Sequence, residues 1–184
     1  GVIDAAAADD CDIISGSRYF SEATDASNAP GDRRKINQTI TSELNCRLSS
    51  AIGCTLTDAF CGFKAYRVAS LREMALTETG YAFPMQFWVQ AAAARMRVKE
   101  LPVKLIYNDP NRSFGGNLDN PDTRLNHYRE VLHAEILRQR DRLPPEAMIG
   151  LDGASMCACG GGGGTGGRGH EASRAIGSGR YSSR

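Results

Sequence analysis

The chain has 184 residues, of which 41% are hydrophobic and 23% are charged, and its formal net charge at pH 7 is +1. This length fits one ordinary domain, and the mixed composition is typical of a globular body rather than of a wholly disordered chain. General nucleic-acid binding requires an excess of positive charge that attracts phosphates. A net charge near zero does not supply it, so we expect no nucleic-acid partner. No apolar run approaches the roughly 20 residues that span a bilayer, and no secretory signal opens the chain. We therefore expect a cytoplasmic protein, with peripheral contact at the cytoplasmic face of a membrane as an option.

The first predicted elements are the end of an amphipathic helix over residues 1–10 and a short buried strand at 12–15. The polar segment 21–32 predicts a loop, and the next predicted helix covers 33–52. That helix is indicated by an apolar residue at every fourth position, with Gly53 as its expected C-terminal cap. The residues of this stripe are Ile36, Ile40, Leu44, Leu48 and Ile52.

The middle of the chain predicts three further helices and one strand. Helices are expected over 68–75 and 83–96, and the alternation of apolar residues over 98–107 predicts a strand. A long loop over 108–121 then leads into an amphipathic helix over 122–140. These elements indicate a mixed α/β fold, with too few strands for a self-contained doubly wound sheet.

The composition changes sharply after Leu143. The pair Pro144-Pro145 stops the preceding helix, and glycine, serine, alanine and arginine dominate from Gly150 onward. Such a segment cannot bury enough apolar surface to offset the entropy lost on ordering. We therefore predict a body over 1–143 and a disordered tail over 144–184. The tail residues Cys157, Cys159 and His170 have the wrong spacing for a structural zinc site.

Three segments carry recognisable motifs. Residues 12–19 read Asp-Ile-Ile-Ser-Gly-Ser-Arg-Tyr, and residues 57–67 contain Asp-Ala-Phe-Cys-Gly-Phe-Lys. The third segment joins Leu-Pro-Val at 101–103 to Arg-Ser-Phe-Gly-Gly at 112–116. In this order they resemble the family 2 glycosyltransferases of the dolichol-phosphate mannose synthase type, across roughly residues 1–140. The resemblance implies the C-terminal part of a GT-A, Rossmann-like domain, so we expect the donor-binding half to be missing from this chain.

The resemblance also implies an activity. Enzymes of this type transfer a hexose from a nucleotide sugar, such as GDP-mannose or UDP-glucose, to polyprenyl phosphate or a related acceptor. The full-length family uses a divalent cation, Mg²⁺ or Mn²⁺, whose ligands we expect outside this chain. Asp10-Cys11-Asp12 fits the Asp-x-Asp metal pattern, but the family's motif precedes the first motif here by a whole helix. We therefore predict no metal ligands, and we expect this chain alone to be inactive.

A different class of function stays open beside this one. The chain could be a non-catalytic remnant that serves as an interaction or membrane-surface module. In that case the helices over 33–52 and 122–140 would offer the interaction faces.

The phosphate-binding candidates are basic residues in the resembling segments. Arg18 follows Ser17 and a glycine, and the resemblance puts it beside the phosphates, where its planar fork suits two oxygens. The alternative is a surface arginine at the end of an edge strand. Arg33 and Arg34 correspond to an acceptor loop and could meet a lipid phosphate or anionic headgroups, or simply begin a solvated helix.

The remaining candidates lie in loops. In the family, the arginine equivalent to Arg112 closes on a substrate phosphate; here Ser113 follows it, and 114–117 replaces the expected Ser-Lys pair. Asp58 is the catalytic candidate: it could bind hydroxyls, act as a base toward an alcohol acceptor, or cap the turn before Gly62. The residues expected in the core rather than at the site are Phe60, Cys61, Phe63, Tyr81, Phe83, Phe87 and Trp88.

Overall fold

The computed structural model describes residues 1–8, 10–20, 31–104 and 113–151 of the chain. These residues form helices and short strands in an α/β arrangement, which confirms the predicted fold class at that level. The α-helices are α1 (Val2–Ala7), α2 (Gly31–Ile52), α3 (Val68–Leu71), α4 (Phe83–Ala93) and α5 (Pro121–Arg138). The strands are β1 (Ile13–Ser17), β2 (Lys64–Tyr66) and β3 (Val98–Pro102), and short 3₁₀ turns cover Gly116–Asp119, Arg140–Arg142 and Pro145–Met148.

The three strands form a mixed sheet in the order β2-β1-β3. The central strand β1 pairs antiparallel with β2 and parallel with β3. Ser15 lies opposite Lys64 on one side and opposite Glu100 on the other. Because residues opposite each other in a sheet point to the same face, these three polar side chains share one face. They bring two charged groups to the end of the sheet where the functional candidates lie.

The core lies between the sheet and helices α2, α4 and α5. Every residue of α4 from Met85 to Ala93 is buried, and the fully buried Trp88 donates its indole N–H to the carbonyl oxygen of Ala59 at 2.8 Å. The predicted apolar stripe of α2 is confirmed, since all five of its residues are at most 6% exposed. Gly53 ends α2 with a φ of +77°, as expected for a C-terminal cap. Periodicity in the sequence therefore identifies the face that α2 buries.

Several element boundaries differ from the predicted ones. The helix α2 begins at Gly31, two residues before the predicted start, and α3 ends at Leu71 instead of residue 75. The strand β3 ends at Pro102, and residues 105–107 of the predicted strand lie outside the described residues. The strand β2 is absent from the predicted elements, because three residues are too few to display an alternating pattern.

The packed body continues past the predicted boundary at residue 143. Ala147 is fully buried beneath α2, where the guanidinium of Arg47 donates to the carbonyl oxygens of Ala147 at 3.1 Å and Ile149 at 2.7 Å. These bonds hold in place a part of the backbone that was predicted to belong to a disordered tail. Residues 144–151 therefore belong to the body, and the rest of the predicted tail, 152–184, lies outside the described residues.

Candidate functional site

The candidate site begins where β1 ends. Arg18 directly follows β1, and Asp58 lies in the loop between α2 and β2. One carboxylate oxygen of Asp58, Oδ2, accepts the backbone N–H of Arg18 at 3.1 Å and its Nε at 2.6 Å. The other, Oδ1, accepts Nη2 of Arg18 at 2.8 Å, which makes the ion pair bidentate. Burial alone would lower the pKa of Arg18, but the hydrogen bonds and charge of Asp58 outweigh it and raise that pKa.

Asp58 is fully enclosed in this pair. Its side chain is 0% exposed, and Oδ1 also accepts the backbone N–H of Phe60 at 3.1 Å, so its two oxygens accept four hydrogen bonds. A carboxylate with both oxygens occupied and no exposed surface is poorly placed to take a proton from a substrate. In this structure Asp58 serves as the counter-ion of Arg18, whose side chain is 14% exposed.

Ser17 lies inside the protein beside this pair. It is 0% exposed, and its Oγ lies 2.5 Å from Oγ1 of Thr57. The same oxygen accepts the backbone N–H of Tyr19 at 3.2 Å. The hydroxyl of Ser17 is thus fully used in internal bonds, which leaves Arg18 as the nearer of the two candidates to the surface.

Glu100 on β3 is the site residue that the sequence analysis missed. Its Oε2 accepts the backbone N–H of Thr57 at 2.7 Å and Oγ1 of Thr57 at 2.8 Å, and its Oε1 accepts the backbone N–H of Asp58 at 3.2 Å. Burial raises the pKa of the Glu100 carboxyl above its ordinary value of 4.5, against the hydrogen bonds from Thr57. The available signal was a lone carboxylate directly before the Leu-Pro-Val of the third segment.

Lys64 on β2 completes a cluster of four charged side chains. Burial lowers the pKa of Lys64, and its ammonium donates to the carbonyl oxygen of Cys61 while facing Asp58, Glu100 and Arg18. Two cations and two carboxylates leave this cluster without net charge. Any excess positive charge for a bound anion must therefore come from residues around it.

Arg33 and Arg34, in the first turn of α2, supply such charge. The guanidinium carbon of Arg34 lies 5.7 Å from the ring centroid of Tyr19, and that of Arg18 lies 5.3 Å from the same ring. Among the described residues, no carboxylate forms an ion pair with Arg33 or Arg34. The guanidinium groups of Arg34 and Arg18 thus both lie against the ring of Tyr19.

Ser113 lies in a turn attached to the same region. Its Oγ donates to Oδ2 of Asp119 at 3.0 Å, and the N–H of Phe114 bonds to Oδ1 of Asp119 and lowers the pKa of that carboxyl. The ring of Phe114 contacts Arg33 at 4.6 Å and Arg124 at 4.2 Å, which fastens the turn to the starts of α2 and α5. Ser113 itself bonds within its turn, and Arg112 lies outside the described residues.

The Asp-x-Asp sequence at 10–12 is used for structure. Asp12 accepts hydrogen bonds from Arg97 and Arg67, and chiefly the Arg97 bond holds the pKa of Asp12 at about 2. Within the described ranges, no group of three His, Cys, Asp or Glu side chains could hold a metal ion.

The aromatic residues near the site follow the core prediction with two exceptions. The ring of Phe60 packs against that of Tyr128 in a tilted arrangement, with 4.9 Å between the ring centroids, whereas Phe63 is 59% exposed and Tyr81 is 41% exposed. Phe63 directly precedes β2, which is an edge strand of the sheet. Within the described part of the chain, no helix is long and apolar enough to span a membrane.

Comparison with known protein families, characterised proteins and solved structures finds no match. The resemblance of the three segments to a family therefore stays a prediction from the sequence.

Proposed function

We propose that this chain is the acceptor- and phosphate-binding part of a family 2 glycosyltransferase with a GT-A fold. Its reaction would be the transfer of a hexose from a nucleotide sugar to polyprenyl phosphate or a related acceptor. One observation carries the proposal: the three resembling segments, far apart in sequence, meet at the ends of β1 and β3. Arg18 of the first segment binds Asp58 of the second. Pro102 of the third segment pairs with Ser17 of the first.

The state of the two carboxylates supports a phosphate acceptor rather than an alcohol. Asp58 accepts four hydrogen bonds and Glu100 accepts three. An alcohol needs a base to remove its proton during attack, whereas a phosphate monoester is already ionised near neutral pH. A site whose described carboxylates are both occupied suits a nucleophile that needs no base.

The charge around the cluster supports the same choice. Arg34 is exposed and forms no ion pair with a carboxylate of the described residues, whereas the charge of Arg33 lies near the neighbouring Asp32. Guanidinium groups bind phosphate oxygens in pairs and stabilise charge that develops on a leaving diphosphate. We assign Arg34 and the exposed part of Arg18 to phosphate binding, with Arg33 and Arg112 as secondary candidates. The ligands of the divalent cation would be supplied from outside the described residues.

Binding of a short acceptor tests this proposal on the chain as it is. We expect the chain to bind geranyl phosphate but not geraniol in isothermal titration calorimetry, because only the former carries the phosphate. Arg34→Gln should weaken geranyl phosphate binding about tenfold, since a charged hydrogen bond is lost. Arg140→Gln, at an exposed position in the turn after α5, is the matched control and should leave affinity unchanged. Equal binding of both compounds, or of neither, would count against a phosphate acceptor.

Sugar transfer is the second test. Labelled GDP-mannose and UDP-glucose would be offered with polyprenyl phosphate and Mg²⁺ to this chain and to a version extended by the reading frame upstream of Gly1. We expect turnover only in the extended version. Turnover by the present chain alone would contradict the proposal that the residues that bind the nucleotide sugar lie outside this chain.

The non-catalytic alternative gains little support from the helices that were expected to serve it. The apolar stripe of α2 and the buried face of α5 pack in the core of the body. Two negative results would nevertheless favour that alternative. They are no binding of geranyl phosphate by the folded chain and no binding of nucleotide sugar by its extended version.

A further inference from the structure

We propose that Glu100 is a positioning residue of the candidate site, which holds Asp58 in place to orient Arg18. This inference rests on the proposed function for its meaning, but its central measurement requires no substrate. Neither the three resembling segments nor the charge of the first turn of α2 identifies Glu100. The geometry of the loop before β2 does.

Glu100 and Arg18 both form hydrogen bonds with the segment 57–58. Glu100 accepts the backbone N–H groups of Thr57 and Asp58, while Arg18 binds the side chain of Asp58. The backbone N–H groups of Thr57 and Asp58 are not paired with a strand. The carboxylate of Glu100 accepts their hydrogen bonds instead. Bonds from Thr41 to the backbone N–H of Ala59 and from Trp88 to its carbonyl oxygen hold the loop after Asp58. The two bonds from Glu100 hold it at Thr57 and Asp58, so we infer that they set the direction of the Asp58 side chain and of Arg18.

Glu100 also fixes the direction of a chain of hydroxyl groups. An ionised carboxylate can only accept, so the hydroxyl of Thr57 donates its hydrogen bond to Glu100. Thr57 must then accept from Ser17 across the 2.5 Å contact. Ser17 in turn accepts the N–H of Tyr19, whose ring lies beside both Arg18 and Arg34. One carboxylate thus orders both sides of the turn that carries Arg18.

The charged and titratable groups around Glu100 come from two elements. Asp58 and the thiol of Cys54 face it from the loop after α2, and Lys64 faces it from β2. Asp58 repels the Glu100 charge and Lys64 attracts it. Hydrogen bonds from Thr57 and Asp58 keep the carboxylate in place between them, against the cost of burial.

Nuclear magnetic resonance of the ¹⁵N-labelled chain tests this role directly. Because burial holds the pKa of Glu100 above 4.5, lowering the pH should protonate it before ordinary surface glutamates. We expect the amide signals of Thr57 and Asp58 and the Nε–H signal of Arg18 to move together in that step. Glu100→Gln, which keeps the shape but offers an N–H₂ group to an amide donor, should abolish the step and shift the Arg18 signal at every pH.

Two further variants separate positioning from mere packing. Thr57→Val keeps the two amide bonds and removes the hydroxyl link, so it should shift the Tyr19 amide signal while the Arg18 signal still follows Glu100. Glu130→Gln, on the exposed face of α5, should change none of these signals. If Glu100→Gln fails to fold, the titration of the wild-type chain and of Thr57→Val decides the matter. An Arg18 signal that ignores the titration of Glu100 would overturn the proposal.

The affinity for geranyl phosphate connects this role to function. We expect Glu100→Gln to bind geranyl phosphate about tenfold more weakly than wild type, because Arg18 loses its orientation. Unchanged affinity in a folded Glu100→Gln chain would contradict the role in binding. Absence of binding by the wild-type chain would instead refute the proposed function, and the resonance titration would still decide whether Glu100 orients Arg18.

Discussion

At the scale of single residues, the ion pair of the partly exposed Arg18 with the fully buried Asp58 dominates the site. Taking two charges out of water is costly, and the pair is stable only because each charge has the other and further hydrogen bonds. Its main value is therefore orientation, and the removal of one partner leaves the other charge buried and uncompensated.

Asp58→Asn tests the dependence of Arg18 on its counter-ion. We expect the free energy of unfolding to fall by about 3 kcal/mol, because the largely buried guanidinium loses its charge partner. Urea denaturation followed by circular dichroism measures this change. Asp141→Asn is the matched control: its ion pair with Arg140 is exposed on both sides, so a change below about 0.5 kcal/mol is expected. A similar decrease in the free energy of unfolding in the two variants would contradict the expected effect of burial on the Arg18–Asp58 pair.

At the scale of elements, α2 and α5 are held together by an ionic contact as well as by apolar packing. Glu43 on α2 accepts hydrogen bonds from Arg129 at 2.9 Å and from the imidazole of His133 at 2.8 Å, both on α5. The hydrogen bond from His133 is the main cause that holds the pKa of Glu43 at about 2, with Arg129 also contributing against burial. This contact makes the packing of the two helices sensitive to acid.

The sign of this pH dependence follows from the pKa of Glu43. Because the pKa is lower in the folded chain than its ordinary value of 4.5, the contact stabilises the fold above pH 4.5 and is lost as the pH falls toward 2. We expect a contribution on the order of 2 kcal/mol, reduced by solvent screening. Urea midpoints measured between pH 7 and pH 2 should fall less steeply for Glu43→Gln than for wild type. Parallel curves for the two proteins would contradict this role of Glu43.

The elements also show what the sequence can and cannot predict. The stripe of α2 is a local pattern, so Ile40 and Leu44 reveal their buried face without knowledge of the fold. Glu100 reaches Thr57 only because β3 pairs in parallel with β1, and no local pattern encodes that pairing. Asp58 and Arg18 could be selected from motifs, but their contact with each other across 40 residues could not.

At the scale of the whole molecule, residues 144–151 belong to the folded body. Arg47 is 6% exposed and depends on the carbonyl oxygens of this segment for its hydrogen bonds. The sequence analysis predicted the boundary at Pro144-Pro145, because prolines indicate where a helix ends. The packing of the short turn after α5 leaves no such local pattern in the sequence.

Truncation tests this boundary. A chain of residues 1–151 should be more stable than one of residues 1–143 by about 2–4 kcal/mol, since the shorter chain exposes the pocket of Ala147 and leaves Arg47 without acceptors. Urea midpoints of the two chains give the difference. Arg47→Met within the longer chain is the matched variant and should lose only part of it. Equal midpoints for the two truncated chains would return the boundary to residue 143.

The spacing of the site residues has a consequence for how the protein folds. Arg18 meets Asp58 across 40 positions, and Thr57 meets Glu100 across 43. Contacts between such distant residues form slowly, because a long loop must close before they can be made. The site therefore cannot exist in an early intermediate that contains only local helices. We therefore expect the Arg18–Asp58 bond to form only after the chain between these two residues has been closed into a loop.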